Sequence, residues 1–89
     1  MFKADVISLD DQVVAPQAVI AGQAFPRCEG PTLWRGYFHI PVRTQGQVKT
    51  GDTLYLLLPD RSRVGTVVTE VAAPLVHFRA RGKMPAFHS

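Results

Sequence analysis

The chain has 89 residues, of which 46% are hydrophobic, and a formal net charge of +3. This length fits a single domain over residues 1–89, and the balanced composition excludes a disordered chain. No apolar stretch approaches the roughly 18 residues of a membrane-spanning helix, and the N-terminus lacks the pattern of a signal peptide, so we expect a soluble, cytoplasmic protein.

The first third of the chain predicts two strands followed by a loop. Residues 2–9 alternate between apolar and polar side chains, which is typical of a strand with one buried face. Residues 12–21 are rich in Val, but Pro16 removes a backbone donor. We therefore interpret this segment as an edge strand, two short strands, or a strand with a bulge. Two prolines and two glycines between residues 22 and 32 predict a loop.

Residues 33–71 contain three apolar runs separated by two polar turns, and we interpret them as three consecutive antiparallel strands. Their period of two separates an inward from an outward face. In the third run, Gly65 indicates a bulge or a point of close approach. Residues 75–80 form a last strand by the same alternation, and residues 82–89 are interpreted as a frayed tail.

These patterns predict an all-β domain with no helix. The expected architecture is a small, mostly antiparallel barrel or barrel-like sandwich of five to seven strands. The predicted core consists of Val6, Phe38, Ile40, Val42, Leu54, Leu56, Val68, Val76 and Phe78.

Charge is distributed unevenly along the chain. The first 30 residues carry two basic and four acidic groups, whereas the remainder carries eight basic and three acidic groups. Such asymmetry favours anionic partners by raising the local potential, although Lys and Arg also protect exposed sheet edges.

One predicted strand face combines basic and aromatic side chains. Arg35, Tyr37, His39 and Arg43 alternate with the inward residues of the first central strand. His77 and Arg79 do the same on the last strand, and Arg61 and Arg63 lie at a predicted hairpin tip. The three groups together indicate a surface for stacking and phosphate contacts. A solvated sheet face has the same appearance.

Large side chains also indicate a protein contact. Trp34, Tyr37, Tyr55 and Leu57 are of the kind that dominates interface energetics, although Trp34 could instead fill the barrel mouth. A chain this short buries only about 60% of its unfolded surface, so a partner or a second copy would stabilise it. We rank protein contact or self-association first and binding of RNA or single-stranded DNA second. The candidate binding residues are Arg35, Tyr37, His39, Arg43, Tyr55, Leu57, His77 and Arg79.

No catalytic or metal-binding pattern is evident. The serines lack a glycine-flanked elbow, and most of the Asp residues fall in predicted turns. Cys28 is the single cysteine, and no close pair of zinc ligands occurs. His39 and His77 could face each other across neighbouring strands, but we interpret them as surface histidines rather than metal ligands. We therefore expect a non-enzymatic binding protein without a cofactor or metal.

The segment GQVKTGDTLYL resembles the turn and strand of the second, β-barrel domain of translational GTPases. That family carries a G-x-V-x-x-G-D-x-V pattern, matched here by Gly46, Val48, Lys49, Gly51, Asp52 and Leu54. The resemblance implies a sharp turn at glycine between two barrel strands, and the same string occurs in other small barrels and in lipoyl-like domains. The chain has no G-x-x-x-x-G-K-[ST] phosphate loop, so no GTPase activity is implied.

A second resemblance covers the region from Gly36 onward. It carries W-R-G-x-F, then a leucine-rich strand, a PDRSR hairpin tip, a valine-rich strand and a terminal V-x-F. In length and in the order of these elements, it looks like small stand-alone bacterial β-barrel proteins with no assigned activity. That resemblance implies a barrel but no particular function.

Overall fold

The computed structural model describes residues 1–25 and 33–81, which form six β-strands and one short 3₁₀ helix. All neighbouring strands are antiparallel, and the order β1-β2-β3-β6-β5-β4 closes on itself. The predicted all-β fold is therefore confirmed, as a six-stranded closed barrel. The strands are β1 (Phe2–Ser8), β2 (Val13–Phe25), β3 (Leu33–His39), β4 (Thr53–Leu57), β5 (Arg63–Ala72) and β6 (Leu75–Arg81), and the 3₁₀ helix spans Val42–Gln47.

The barrel interior is filled by buried side chains from all six strands. Trp34 is 1% exposed, and its indole meets the ring of Phe78 edge-on at a centroid distance of 5.4 Å. The ring centroid of Phe2 lies 6.1 Å from that of the indole, at an interplanar angle of 63°. Edge-to-face pairs of this kind add to the stabilisation from burial. Eight of the nine predicted core residues are buried, namely Val6, Phe38, Ile40, Leu54, Leu56, Val68, Val76 and Phe78.

Val42 is the exception, and its assignment to the core is wrong. Its side chain is 84% exposed because β3 ends at His39 and the chain turns into the 3₁₀ helix. Pro41 lacks a backbone donor and cannot extend the ladder, and the Thr44 N–H donates back to the Pro41 oxygen at 3.1 Å. The expectation of a helix-free chain is wrong at the same place.

The connection from β3 to β4 crosses one end of the barrel, because these two strands are not neighbours in the closed order. The buried Thr44 hydroxyl donates to the backbone oxygen of Val14 at 2.7 Å and ties the helix to β2. Val48, just beyond the helix, joins the core. The crossing segment therefore covers the apolar interior.

The turn that leads into β4 accounts for Val48, Gly51 and Asp52 of the G-x-V-x-x-G-D-x-L pattern, whereas Gly46 lies in the 3₁₀ helix, where a Cβ would meet nothing within 4 Å. Gly51 has a φ of +94°, a backbone conformation that residues with a Cβ rarely adopt. The Asp52 carboxylate accepts from the Lys49 N–H at 2.9 Å, while the Gly51 N–H donates to the Val68 oxygen at 2.8 Å. Val48, Gly51 and Asp52 therefore each have a structural role.

The strand with a bulge is the correct interpretation of the segment around Pro16. The register between β1 and β2 shifts on both sides of Val6, so that β2 contains extra residues. Gln17 has a φ of +49°, and its N–H donates to the Asp5 carboxylate at 2.7 Å. Because Pro16 has no backbone N–H to donate, the bulge lets β2 pass this position without opening the barrel.

One further predicted boundary differs from the structure, and two predicted segments lie wholly or partly outside the described residues. The loop predicted over 22–32 is wrong at 22–25, because β2 continues to Phe25. Residues 26–32, with Cys28, and the predicted tail 82–89 lie outside the described residues. The expectation of a bulge or a close approach at Gly65 is wrong, because Gly65 pairs regularly with Tyr55 and a Cβ there would meet Cε1 of Tyr55 at 3.6 Å, an ordinary contact distance.

Candidate functional site

The outer side of β3 and β6 carries most of the predicted binding residues. Arg35 lies directly opposite Arg79, and Tyr37 lies directly opposite His77. His39 lies opposite Leu75, so the two histidines are diagonal neighbours rather than a facing pair. We call this surface the β3–β6 face and define it by Arg35, Tyr37, His39, His77, Arg79 and Arg81.

Positive charge accumulates on the β3–β6 face. Neither β3 nor β6 contains an acidic residue, and the neighbouring β5 contains only Glu70. Arg79 and Arg81 lie on the same side of β6, and both are exposed. Like charges placed directly opposite each other, as Arg35 and Arg79 are, are unfavourable in a sheet, so this arrangement suits an anion.

An aromatic pair lies beside the arginines. Tyr37 is 44% exposed, and its ring centroid is 5.4 Å from that of His77 at an interplanar angle of 44°. The pairing holds the phenol ring against the sheet while part of it remains accessible. Such a ring can stack on a flat ligand.

A groove of about 530 Å³ runs beside this pair, over β2, β3, β6 and β5. Its walls include Arg35, Tyr37 and His77, together with Thr69 and Glu70 of β5. The register between β5 and β6 shifts between Val68 and Glu70, and both Thr69 and Glu70 are exposed. The β5 bulge therefore turns a carboxylate outward at the groove.

Three predicted binding residues lie elsewhere. Arg43 belongs to the 3₁₀ helix and not to the outer face of β3. Tyr55 and Leu57 are on β4, which neither β3 nor β6 contacts in the closed order, and both are half-buried. The ring of Tyr55 lies over Gly65, and Leu57 lines a shallow depression of about 320 Å³ with Leu58 and Pro59.

Trp34 fills the barrel, as one of the two alternatives predicted. Its side chain is buried, and its Nε1 has no hydrogen-bond partner. It is therefore not available to a partner on the surface.

The carboxylates of the turns are engaged by local hydrogen bonds. Asp60 accepts from the hydroxyl of Ser62 at 2.5 Å and from its N–H at 2.9 Å. These two bonds lower the pKa of the Asp60 carboxyl below its usual value of 3.8. Asp10 accepts from the Ser8 hydroxyl, and Asp52 accepts from the turn at Lys49. These are structural tasks that turns commonly give to Asp.

Among residues 1–25 and 33–81, no group of three or more His, Cys, Asp or Glu side chains is placed to hold a metal ion. Within the same part of the chain, no helix has the length and hydropathy to cross a membrane.

Two groups beside the site were missed by the sequence analysis. Arg81 was not included in the binding set, although the alternation of LVHFRAR continues to it. Glu70 was missed because a bulge reverses the order of inward and outward positions, and no residue type in RVGTVVTEV marks where the bulge falls.

No protein-family model matches the chain, and no match was found among curated proteins or among solved structures. The local resemblance to the GTPase barrel domain therefore remains a prediction from a short pattern.

Proposed function

We propose that this protein is a non-enzymatic binding domain and that its β3–β6 face binds single-stranded nucleic acid. The observation that carries the proposal is the juxtaposition of Arg35, Arg79 and Arg81 with the exposed ring of Tyr37 on two adjacent strands. Guanidinium groups contact phosphates, and aromatic rings stack on bases of any sequence. The sequence alone ranked protein contact first; the geometry favours the nucleic acid because Tyr55 and Leu57 are half-buried on a different part of the barrel.

The test is the binding of labelled mixed-sequence DNA and RNA oligomers, followed by fluorescence anisotropy over a salt series. We expect the affinity to fall as salt rises, because bound arginines release counterions from the strand. Arg79→Gln should weaken binding to all sequences and reduce the slope of log K against log salt by about 0.7. Tyr37→Leu should weaken binding by about tenfold and leave that slope unchanged.

Two control variants match these changes. Lys3 is an exposed basic residue on β1, three strands away from β6 around the barrel. Tyr55 is the other tyrosine of the chain. Lys3→Gln and Tyr55→Leu should leave binding within about twofold of the native protein, since scattered charge alone gives only weak, non-specific attraction. Absence of binding at low salt, or an equal loss with Lys3→Gln, would refute the proposal.

A second candidate function is a protein contact or self-association at the depression beside Leu57. Its apolar floor of Leu57, Leu58 and Pro59 is bordered by Lys3 and Arg61, which resembles the apolar centre and polar rim of an interface. Sedimentation at several concentrations tests for a dimer. Dimerisation that is insensitive to salt and abolished by Leu57→Asp would favour this candidate over the first.

The proposal extends to the kind of organism and to the cellular compartment. The resemblance to stand-alone bacterial barrels and to the GTPase barrel domain favours a bacterial protein, and the single cysteine agrees with a reducing, cytoplasmic compartment. Expression of a tagged protein followed by cell fractionation tests the compartment. Recovery from the envelope or the medium would contradict it.

A further inference from the structure

Glu70 is out of place on a surface that attracts phosphate. It is the one acidic residue on β3, β6 and β5, and the β5 bulge turns it outward at the groove beside Tyr37 and His77. A carboxylate there reduces the attraction for every phosphate nearby. Glu70 lies opposite His77, where a carboxylate beside the ring pair can accept hydrogen bonds from the edge of a stacked base.

The groove has the dimensions and the walls for one base. Its volume of about 530 Å³ lies within the range of small-molecule sites. Tyr37, His77 and Glu70 follow one another across three adjacent strands, and adjacent strands are about 4.8 Å apart. A base stacked on the Tyr37 ring can therefore lie over β3 and β6 with its edge toward β5 and the carboxylate.

We infer that this groove is a base-specific subsite that prefers guanine, an inference that rests on the proposed nucleic-acid function. An ionised carboxylate offers two acceptor oxygens and no donor. Guanine alone presents two adjacent donors, N1–H and the N2 amino group, to such a pair. Adenine and cytosine each place an acceptor beside their amino donor, and thymine and uracil flank their single N–H with two acceptors.

The arginines complete the subsite. Arg35 is also in the wall of the groove, and Arg79 lies opposite it on β6. These two groups contact the phosphate attached to the bound nucleoside and the phosphates that follow. Guanine with a phosphate is thus the recognised chemistry, whether it belongs to a strand or to a free nucleotide.

The experiment compares thymine oligomers of about 12 nucleotides, a length that one small barrel can cover, with the same oligomers carrying a few guanines, adenines or cytosines. The native protein should bind the guanine oligomer about tenfold more tightly than the thymine oligomer. Guanosine monophosphate serves as competitor: displacement only at much higher concentration identifies the strand as the ligand, and displacement at equal concentration identifies the free nucleotide.

Glu70→Gln is the decisive variant, because it keeps the shape of the side chain and removes its charge and one acceptor. The guanine preference should fall to about twofold or less, while the affinity for the thymine oligomer rises. Asp10→Asn removes one negative charge from the β1–β2 connection. It should change neither the ratio of guanine to thymine affinity nor the affinity for the thymine oligomer. Thermal unfolding of both variants checks that the barrel is intact, and amide shifts at Thr69 and Glu70 on adding the guanine oligomer report the location directly.

The outcomes separate the two proposals. Binding of all oligomers with equal affinity, or a guanine preference that survives Glu70→Gln, overturns the base-specific subsite and leaves nucleic-acid binding in place. Failure to bind any oligomer at low salt overturns the proposed function itself.

Discussion

On its inner side, strand β3 places Trp34, Gly36 and Phe38 in the closed core, whereas on its outer side Arg35, Tyr37 and His39 are exposed to solvent. The inner residues are constrained by contact. A Cβ at Gly36 would lie 2.5 Å from the backbone oxygen of Ala21 and 3.0 Å from Cζ of Phe78. The outer residues meet no comparable approach of the neighbouring backbone, so the closed barrel constrains their chemical character less.

This difference separates residues that the fold requires from residues that the fold merely tolerates. A barrel of this size needs large apolar groups inside, but it needs no arginine on β3 or β6. Placing two arginines opposite each other is, if anything, unfavourable. The outer face is therefore where a function that the fold does not explain should be sought.

The largest expected effect comes from Gly36→Ala, which tests the inner side. The added methyl group would clash with the β2 backbone and with Phe78, so we expect a loss of about 3 kcal/mol or more in the free energy of unfolding. Urea denaturation measures it. Gly46→Ala is the matched control, because a Cβ there meets nothing within 4 Å and should change stability by no more than about 0.5 kcal/mol.

The next effect is expected at Thr44, where the crossing segment is fastened to β2. Thr44→Val keeps the shape of the side chain but removes the donor to the Val14 oxygen, which should cost about 1–3 kcal/mol. Thr44→Ser keeps the hydroxyl donor and should retain most of the native free energy of unfolding. Thr50→Val, in an exposed turn, should be neutral in the same denaturation experiment. An equal loss at both positions would mean that the buried hydrogen bond is not what holds the segment.

The sequence predicted the inner side of the barrel well and its connections less well. Alternation assigned Phe38, Val76 and Phe78 correctly, because a period of two holds along a strand wherever its pairing has no bulge. It failed at Val42, where the chain had already left the sheet. Pro41 was the local signal of that departure, but only the pairing of β3 with β6 decides where the ladder stops.

The candidate site was predicted in part for the same reason. Alternation brought Arg35, Tyr37, His77 and Arg79 to outward positions, and the structure places them on adjacent strands. Tyr55 and Leu57 were wrongly placed on the same surface, because only the strand order separates β4 from β3 and β6. No local sequence pattern contains that order. Closure of a barrel is a property of long-range pairing, so residues far apart in sequence become neighbours only once the order is known.

A smaller effect on stability is expected on the outer side, from Arg79→Gln. Arg79 is exposed and faces another arginine, so its replacement should change the free energy of unfolding by no more than about 0.5 kcal/mol. Chemical denaturation at low and at high salt measures the change, and any gain in stability should shrink as salt screens the repulsion. A loss as large as that of Thr44→Val would show that Arg79 belongs with the structural residues, and the contrast between the two sides of the sheet would fail.

The smallest effect is expected at Asp60, an exposed group that nevertheless has local partners. The Ser62 hydroxyl and N–H stabilise the ionised carboxylate, so the pKa of Asp60 in the folded protein lies below its usual value of 3.8. The stability that these bonds contribute is present above the pKa of the unfolded chain and is lost as pH falls through the folded pKa. A carboxyl-carbon NMR titration measures the value, and Ser62→Ala should raise the pKa toward 3.8 by removing the hydroxyl donor. An unchanged pKa in that variant would show that the Ser62 hydroxyl does not stabilise the ionised carboxylate. Asp60 would then belong with the exposed residues of the outer face, on which the fold places little constraint, and not with the hydrogen-bonded residues of the turns.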